Sequence, residues 1–284
     1  MGIDINSTEC SSRNTFANFS IKGLDESVNI YRDFYGIPHV LAKTINDAFW
    51  GQGFVTAQDR LWHMDLDRKS AYGKSAEYLG LKAIEKDKLM RKFGIQDAVK
   101  KEYSSLNAKT KLMLESYSEG VNAFIIKSEV LPVEYQIIQE KPDTWAPWDC
   151  LAVFKGRHIM MGAFESKLWR ARLLEVLGPE KTNVLFPEHG LGNRQIIEST
   201  ETRYTSDNKL EILIEASKNL TSWSSELDAG SNNWVLTGAK TKSGKPLLAG
   251  DPHRALDTPN VYYQNHIACK EFDVIGLSFP GFPG

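Results

Sequence analysis

Gly230-Ser231-Asn232-Asn233-Trp234 divides the chain into two stretches of different character. Ahead of it, apolar residues recur at helical spacing. Phe54, Ala57, Leu61 and Met64 follow a candidate cap at Asp47 and run to about Arg68, before Gly73 and Gly80 break the pattern. Leu114, Tyr117, Val121 and Phe124 share one face of a helix over about 109–125. A third helix starts at a candidate cap, Asp149, carries Leu151, Phe154, His158, Met161 and Phe164, and is expected to close at Gly178-Pro179. Behind Trp234, residues 234–236, 246–249, 261–269 and 272–279 read as short strands between Gly, Asp, Pro and Lys turns. One further strand pair lies early: Val28 and Ile30, then Ile37, Val40 and Leu41, around Tyr35-Gly36. Residues 1–25 read as a loose polar arm, and 200–230 as a polar spacer with an amphipathic patch at 210–216. Helices in front and strands behind imply an α+β class, with helices packed on a face of an antiparallel sheet.

The bulk numbers exclude several functions. With 284 residues and 42% apolar content, a packed core is within reach. A formal charge of −2 and a pI near 6.3 leave no basic footprint, so nucleic acid is not the expected partner. Cys10, Cys150 and Cys269 form neither a disulfide framework nor a CxxC pair, and they read as buried, inert thiols. No run is long and apolar enough to span a bilayer. Residues 1–19 lack the basic and apolar regions of a secretory signal. Asp59, His63, Asp65 and Asp67 do not converge on one helix face, so they read as a solvated or ion-paired surface, with Arg60, Arg68 and Lys69 as partners.

The chemistry centres on Ser231. A serine hydroxyl is a poor nucleophile until a base takes its proton. No GxSxG elbow surrounds this one. Its own α-amine, if the chain were cut before it, would have a pKa near 7.7–8.0 and act as that base. An amide nitrogen cannot. Gly230 leaves its carbonyl sterically open to the neighbouring hydroxyl. Attack by the Ser231 hydroxyl on that carbonyl, an N-to-O acyl shift and ester hydrolysis would make the cut. Gly-Ser pairs are also common in plain loops before strands, so the pair alone does not decide.

A set of motifs does. Arg32-Asp33-Phe34-Tyr35-Gly36-Ile37-Pro38-His39-Val40 resembles the opening signature of the penicillin acylase (penicillin amidase) family. Asp47-Ala48-Phe49-Trp50-Gly51-Gln52-Gly53 with Ala57-Gln58-Asp59-Arg60-Leu61-Trp62 resembles its next block. Ser118-Glu119-Gly120-Val121-Asn122-Ala123 and Leu131-Pro132-Val133-Glu134-Tyr135 are similar to later ones. Ser231-Asn232-Asn233-Trp234, Ser243-Gly244-Lys245-Pro246-Leu247-Leu248-Ala249 and Asp251-Pro252-His253 resemble the start of the family's catalytic β-chain. The likeness runs from about Ile30 to Gly284, with order and spacing kept.

That resemblance implies an N-terminal-nucleophile (Ntn) hydrolase with an αββα sandwich, incomplete over these residues. It implies an α-chain-like region at 1–230, a β-chain start at 231–284, and a two-chain α/β heterodimer after self-cleavage at Gly230-Ser231. The substrate would be a small N-acyl amide, opened through a Ser231 acyl-enzyme. β-Lactam side-chain amides, acyl-homoserine lactones and other N-acylated amines all remain open. His253 falls where the family places a histidine or glutamine beside the nucleophile, to orient the amine or to hydrogen-bond the tetrahedral intermediate.

The resemblance also places Met160, Met161 and Phe164 in the acyl pocket, where apolar side chains suit an acyl group, although their spacing suits plain core packing equally. Arg254 is placed to meet a carboxylate or polar acyl end, or else solvent. Lys167 occupies the position of the glutamate with which many relatives hold calcium, and Glu165 lies two residues off. An ammonium cannot ligate calcium, so no metal or cofactor is expected. The family's oxyanion-hole asparagine lies downstream of Gly284, so residues 1–284 alone are expected to be inactive. The resemblance implies a periplasmic location if a leader precedes these residues. Two rival readings stand beside the acylase: a non-catalytic remnant that binds acyl compounds or a partner, and a conventional hydrolase with an Asp251/His253/Ser231 triad that needs no cleavage.

Overall fold

The computed structural model describes residues 23–161, 164–185, 230–254 and 257–284, without the side chains of 160, 161 and 164–166. Residues 1–22 of the expected arm at 1–25 and 200–229 of the expected spacer at 200–230 lie outside these residues; Asp25 is tied to Asp47 rather than loose, and Gly230 begins a strand. The class is α+β. In chain order come β1 (Asn29–Arg32), β2 (Pro38–Leu41), α1 (Ile45–Ala71), α2 (Ala76–Leu79), α3 (Ile84–Phe93), α4 (Ile95–Ser105), α5 (Ala108–Lys127), α6 (Val133–Ile138), α7 (Pro147–Met161) and α8 (Phe164–Leu185). β3 (Gly230–Leu236), β4 (Leu247–His253), β5 (Tyr263–Ala268) and β6 (Asp273–Ser278) follow. The described strands form a four-stranded sheet, β1-β2-β5-β6, and a separate ribbon, β3-β4. The larger sheet is mixed rather than antiparallel, because β2 and β5 run parallel, with His39 opposite His266. Strands so far apart in sequence reach one another only after a long crossover, which makes parallel pairing possible.

The chain divides into two compact units. The first holds the four-stranded sheet, the front of α1, and α5. Arg32-Asp33-Phe34-Tyr35-Gly36-Ile37 is its β1–β2 turn: Asp33 Oδ1 accepts the Tyr35 and Ile37 N–H groups, and Gly36 takes φ +77°, open to glycine. Val40, Val55, Tyr263 and Ile267 form a core cluster where α1 meets the sheet. α1 crosses α5 at glycines. A Cβ on Gly53 would stand 2.0 Å from the Tyr117 carbonyl oxygen, and one on Gly120 would stand 1.9 Å from that of Trp50. Asn122 locks the approach to α7, accepting the Trp145 N–H at 2.7 Å and donating to its carbonyl at 2.8 Å.

Both candidate caps sit one turn further in than expected. α1 is capped by Thr44, whose hydroxyl accepts the Asp47 N–H, while Asp47 accepts the N–H groups of Asp25 and Glu26. Asp149, third in α7, reaches back to the Ala146 N–H, the acidic half of a capping box. Gly178 (φ +75°) breaks α8 as expected, but helix resumes after Pro179 and continues to Leu185.

The second unit contains the end of α1, α2, α3, α8 and the β3-β4 ribbon. Asp87 receives the N–H groups of Ser75 and Ala76 and so fixes the entry to α2. The residues Asp59, Asp65 and Asp67 are paired with groups from other elements rather than with α1 neighbours alone. Asp59 meets both Arg32 guanidinium nitrogens and the Tyr263 hydroxyl, Asp65 accepts from Tyr135, and Asp67 pairs with Arg157.

Candidate active site

The β3-β4 ribbon is a regular antiparallel pair. Gly230 faces His253, Ser231 faces Pro252, and Asn232 faces Asp251. Its connection is tight: Gly244 takes φ +70°, and a Cβ on Gly238 would stand 2.2 Å from the Gly244 carbonyl oxygen. The Thr241 hydroxyl donates to the Lys245 carbonyl at 2.7 Å, which closes the loop. This is the structural reason for the Ser243-Gly244-Lys245-Pro246 block.

Ser231 is exposed, and its Oγ donates to the Gly230 carbonyl oxygen at 2.6 Å. The hydroxyl therefore rests against the carbonyl group of the residue before it. His253 stands on the other side of the same link, with Nδ1 3.4 Å from where a Gly230 Cβ would be. Its Nε2 lies 3.1 Å from Asp251 Oδ2 and 3.2 Å from the Asn232 side-chain amide. The Asp251 carboxylate calls for a proton on Nε2, whereas the Asn232 Nδ2 amide donates and calls for a lone pair there, so the two contacts serve different tautomers of the ring.

Strand alternation separates these groups. Gly230, Asn232, Asp251 and His253 share one face of the ribbon, while the Ser231 side chain projects from the other. Asp251, His253 and Ser231 thus do not form a triad in the uncut chain. The Asp251–His253 contact is the one the triad reading expected, while the contact of Asn232 with His253 was not foreseen. The register that sets Gly230 opposite His253 also sets Asn232 opposite Asp251.

Of the remaining candidates, Arg254 is half-buried and directly follows β4. Met160, Met161 and Phe164 lie at the facing ends of α7 and α8, and their side chains are outside the described residues. Lys167 is exposed. No helix among the described residues is long and apolar enough to cross a membrane.

The sequence model of the penicillin amidase family matches residues 27–284. A penicillin acylase 2 proenzyme from Pseudomonas sp. (strain SE83) is 39% identical over 272 residues, which cover 94% of this chain and 35% of the relative. The acyl-homoserine lactone acylase QuiP of Pseudomonas aeruginosa is 29% identical over 270 residues, covering 93% and 32%. A solved thermostable penicillin G acylase from Alcaligenes faecalis aligns with 61% of this chain and 96% of its own at 27% identity and a TM-score of 0.47. The chain spans about a third of the length of the curated relatives it matches.

Proposed function

The chain belongs to the penicillin amidase family, and from that premise we propose that it supplies the nucleophile of an N-acyl amide hydrolase that cuts itself between Gly230 and Ser231. The observation that carries this reading is the Ser231 hydroxyl held 2.6 Å from the Gly230 carbonyl oxygen. In the first step Oγ loses its proton and attacks the Gly230 carbonyl carbon. The C–N bond of the tetrahedral adduct breaks, the Ser231 nitrogen takes up the proton that Oγ gave up and leaves as an amine, and Gly230 is held as an ester on Oγ. Water hydrolyses the ester, leaving a carboxylate on Gly230 and a free amine on Ser231.

The same hydroxyl then serves the substrate. The freed amine takes the Oγ proton, Oγ attacks the amide carbonyl, and the substrate amine departs with a proton, leaving an acyl group on Ser231. A water deprotonated by the same amine releases the acid. His253, held by Asp251, is assigned to orient the amine or to hydrogen-bond the tetrahedral intermediate. Cleavage also frees the ribbon's first residue from its upstream link, so the face opposition seen before the cut does not bind the mature serine. The substrate class is linear N-acyl amides, supported by relatives named for penicillin and for acyl-homoserine lactones. Calcium has no place in this scheme, because Lys167 offers no oxygen where a glutamate would be needed.

The test is acyl trapping in the full gene product. Rapid quenching during turnover of an N-acyl nitroanilide should leave the acyl mass on the peptide that begins with Ser231. Steady turnover with the acyl group on another residue, or with none, overturns the assignment.

A further inference from the structure

The parallel junction of β2 and β5 carries a chain of titratable groups outside the ribbon. His39 Nδ1 and His266 Nδ1 are 2.8 Å apart. His266 Nε2 lies 2.8 Å from Asp273 Oδ1, and His39 Nε2 lies 3.5 Å from Asp33 Oδ2. The side chains of both histidines are only 16% exposed. Tyr31 stacks on the His39 ring at 4.7 Å and 4°. The titratable groups facing the pair among the described residues are Asp33 from the β1–β2 turn, Tyr31 from β1 and Asp273 from β6.

Counting protons fixes what this arrangement tolerates. The contact between the two Nδ1 atoms needs one hydrogen, neither none nor two. Asp273 accepts only, so His266 Nε2 carries a second. His39 Nε2 stands 3.5 Å from Asp33 Oδ2 without a hydrogen bond, so a third hydrogen there is tolerated rather than required. Two or three protons satisfy the geometry, but a fourth sets N–H against N–H. Zinc does not explain the contact. Two nitrogens at about 2.0–2.1 Å from one tetrahedral zinc would stand roughly 3.3 Å apart.

We propose that His39 and His266 form a proton-gated clasp that holds β2 to β5 when they share one hydrogen and releases when acid protonates both Nδ1 atoms. Imidazoles are the side chains that change charge between about pH 5 and 8. Asp33 stays ionised over that range: burial would raise its carboxyl, but the Ile37 and Tyr35 N–H groups and His39 outweigh it and hold it below its ordinary value. The unfolded chain takes up a proton on each free imidazole while the folded pair resists the fourth. The unfolded state therefore binds more protons in acid, and stability falls as pH falls. Because His39 and His266 lie on opposite sides of Ser231, the clasp also joins the two product chains, and this last consequence alone rests on the proposed self-cleavage.

The test uses imidazole-labelled full-length protein. A through-hydrogen-bond coupling between the two Nδ1 nuclei is expected at pH 7.5 and absent at pH 5. From pH 7.5 to 5 the wild type should lose about 4 °C more in Tm than His266→Gln or His39→Asn. If either variant fails to fold, the coupling measurement decides alone. No coupling at pH 7.5, a coupling that persists at pH 5, or equal Tm losses in wild type and variants overturns the clasp. In cleaved protein the same acidification should loosen the two chains from each other. If the chain proves uncut, the coupling and Tm results still judge the clasp.

Discussion

In the proposed reaction Ser231 supplies both nucleophile and base, and each role has its own test. Ser231→Ala should leave the chain uncut and reduce amide turnover to background. His253→Ala should lower turnover of cleaved protein by roughly 10²–10³, the range for losing a positioned proton-transfer or intermediate-binding group. Because the base is an α-amine with a reference pKa near 7.7–8.0, it is active only when deprotonated, so kcat/KM should rise with pH. Between pH 9 and pH 6 the fall should be roughly fifty-fold. A flat profile over that range removes the amine from the mechanism. Burial pushes the Cys150 thiol up to about 12, and the Trp145 indole Nε1–H donates to its sulfur. It should therefore resist alkylation at pH 8 until the protein unfolds, while the partly exposed Cys269 reacts; mass mapping distinguishes them. Cys150 fits the buried-thiol reading of the sequence, Cys269 is only partly buried, and Cys10 lies outside the described residues. The Gly-Ser link was legible in the sequence because it depends on local chemistry. The face opposition of Ser231 and His253 was not, because it depends on which residues of two strands are opposite.

Among the elements, the α1–α5 crossing is a tightly constrained contact. Adding a methyl at Gly53 or Gly120 drives it into a backbone carbonyl, which no rotamer change relieves. Gly53→Ala and Gly120→Ala should each cost about 3 kcal/mol or more, read as a loss of roughly 6–12 °C in Tm. A change under 2 °C contradicts the close approach. The long amphipathic helices were legible because their apolar residues keep a 3.6-residue beat. Residues 74–107 were not. There Leu89, Met90, Ile95 and Val99 are the buried apolar residues of α3 and α4, separated by many charges. The caps were misplaced by one turn because an aspartate near a helix start satisfies free N–H groups from the third position as well as from the cap. The parallel β2–β5 pairing was illegible for a different reason: each strand's pattern fixes its faces but not its partner.

For the molecule as a whole, the contacts that close the first unit link residues before Ser231 to residues after it. β2 pairs with β5, Asp59 receives the Tyr263 hydroxyl, Gln52 exchanges hydrogen bonds with Gly284, and Tyr117 accepts the Gly281 N–H. Cutting before Ser231 breaks none of these. The two products should therefore copurify in native buffer at pH 7.5 and part only in denaturant. The α+β class and the order of its blocks could be read from the motifs, since glycines at helix crossings and turns leave a fixed spacing. The central claim is the cut itself. Intact-mass measurement of the purified gene product, with the terminal residue of each chain identified, tests it most directly. Two chains are expected, the second opening with Ser231, and a single chain in the Ser231→Ala variant. One unbroken chain that hydrolyses N-acyl amides contradicts it.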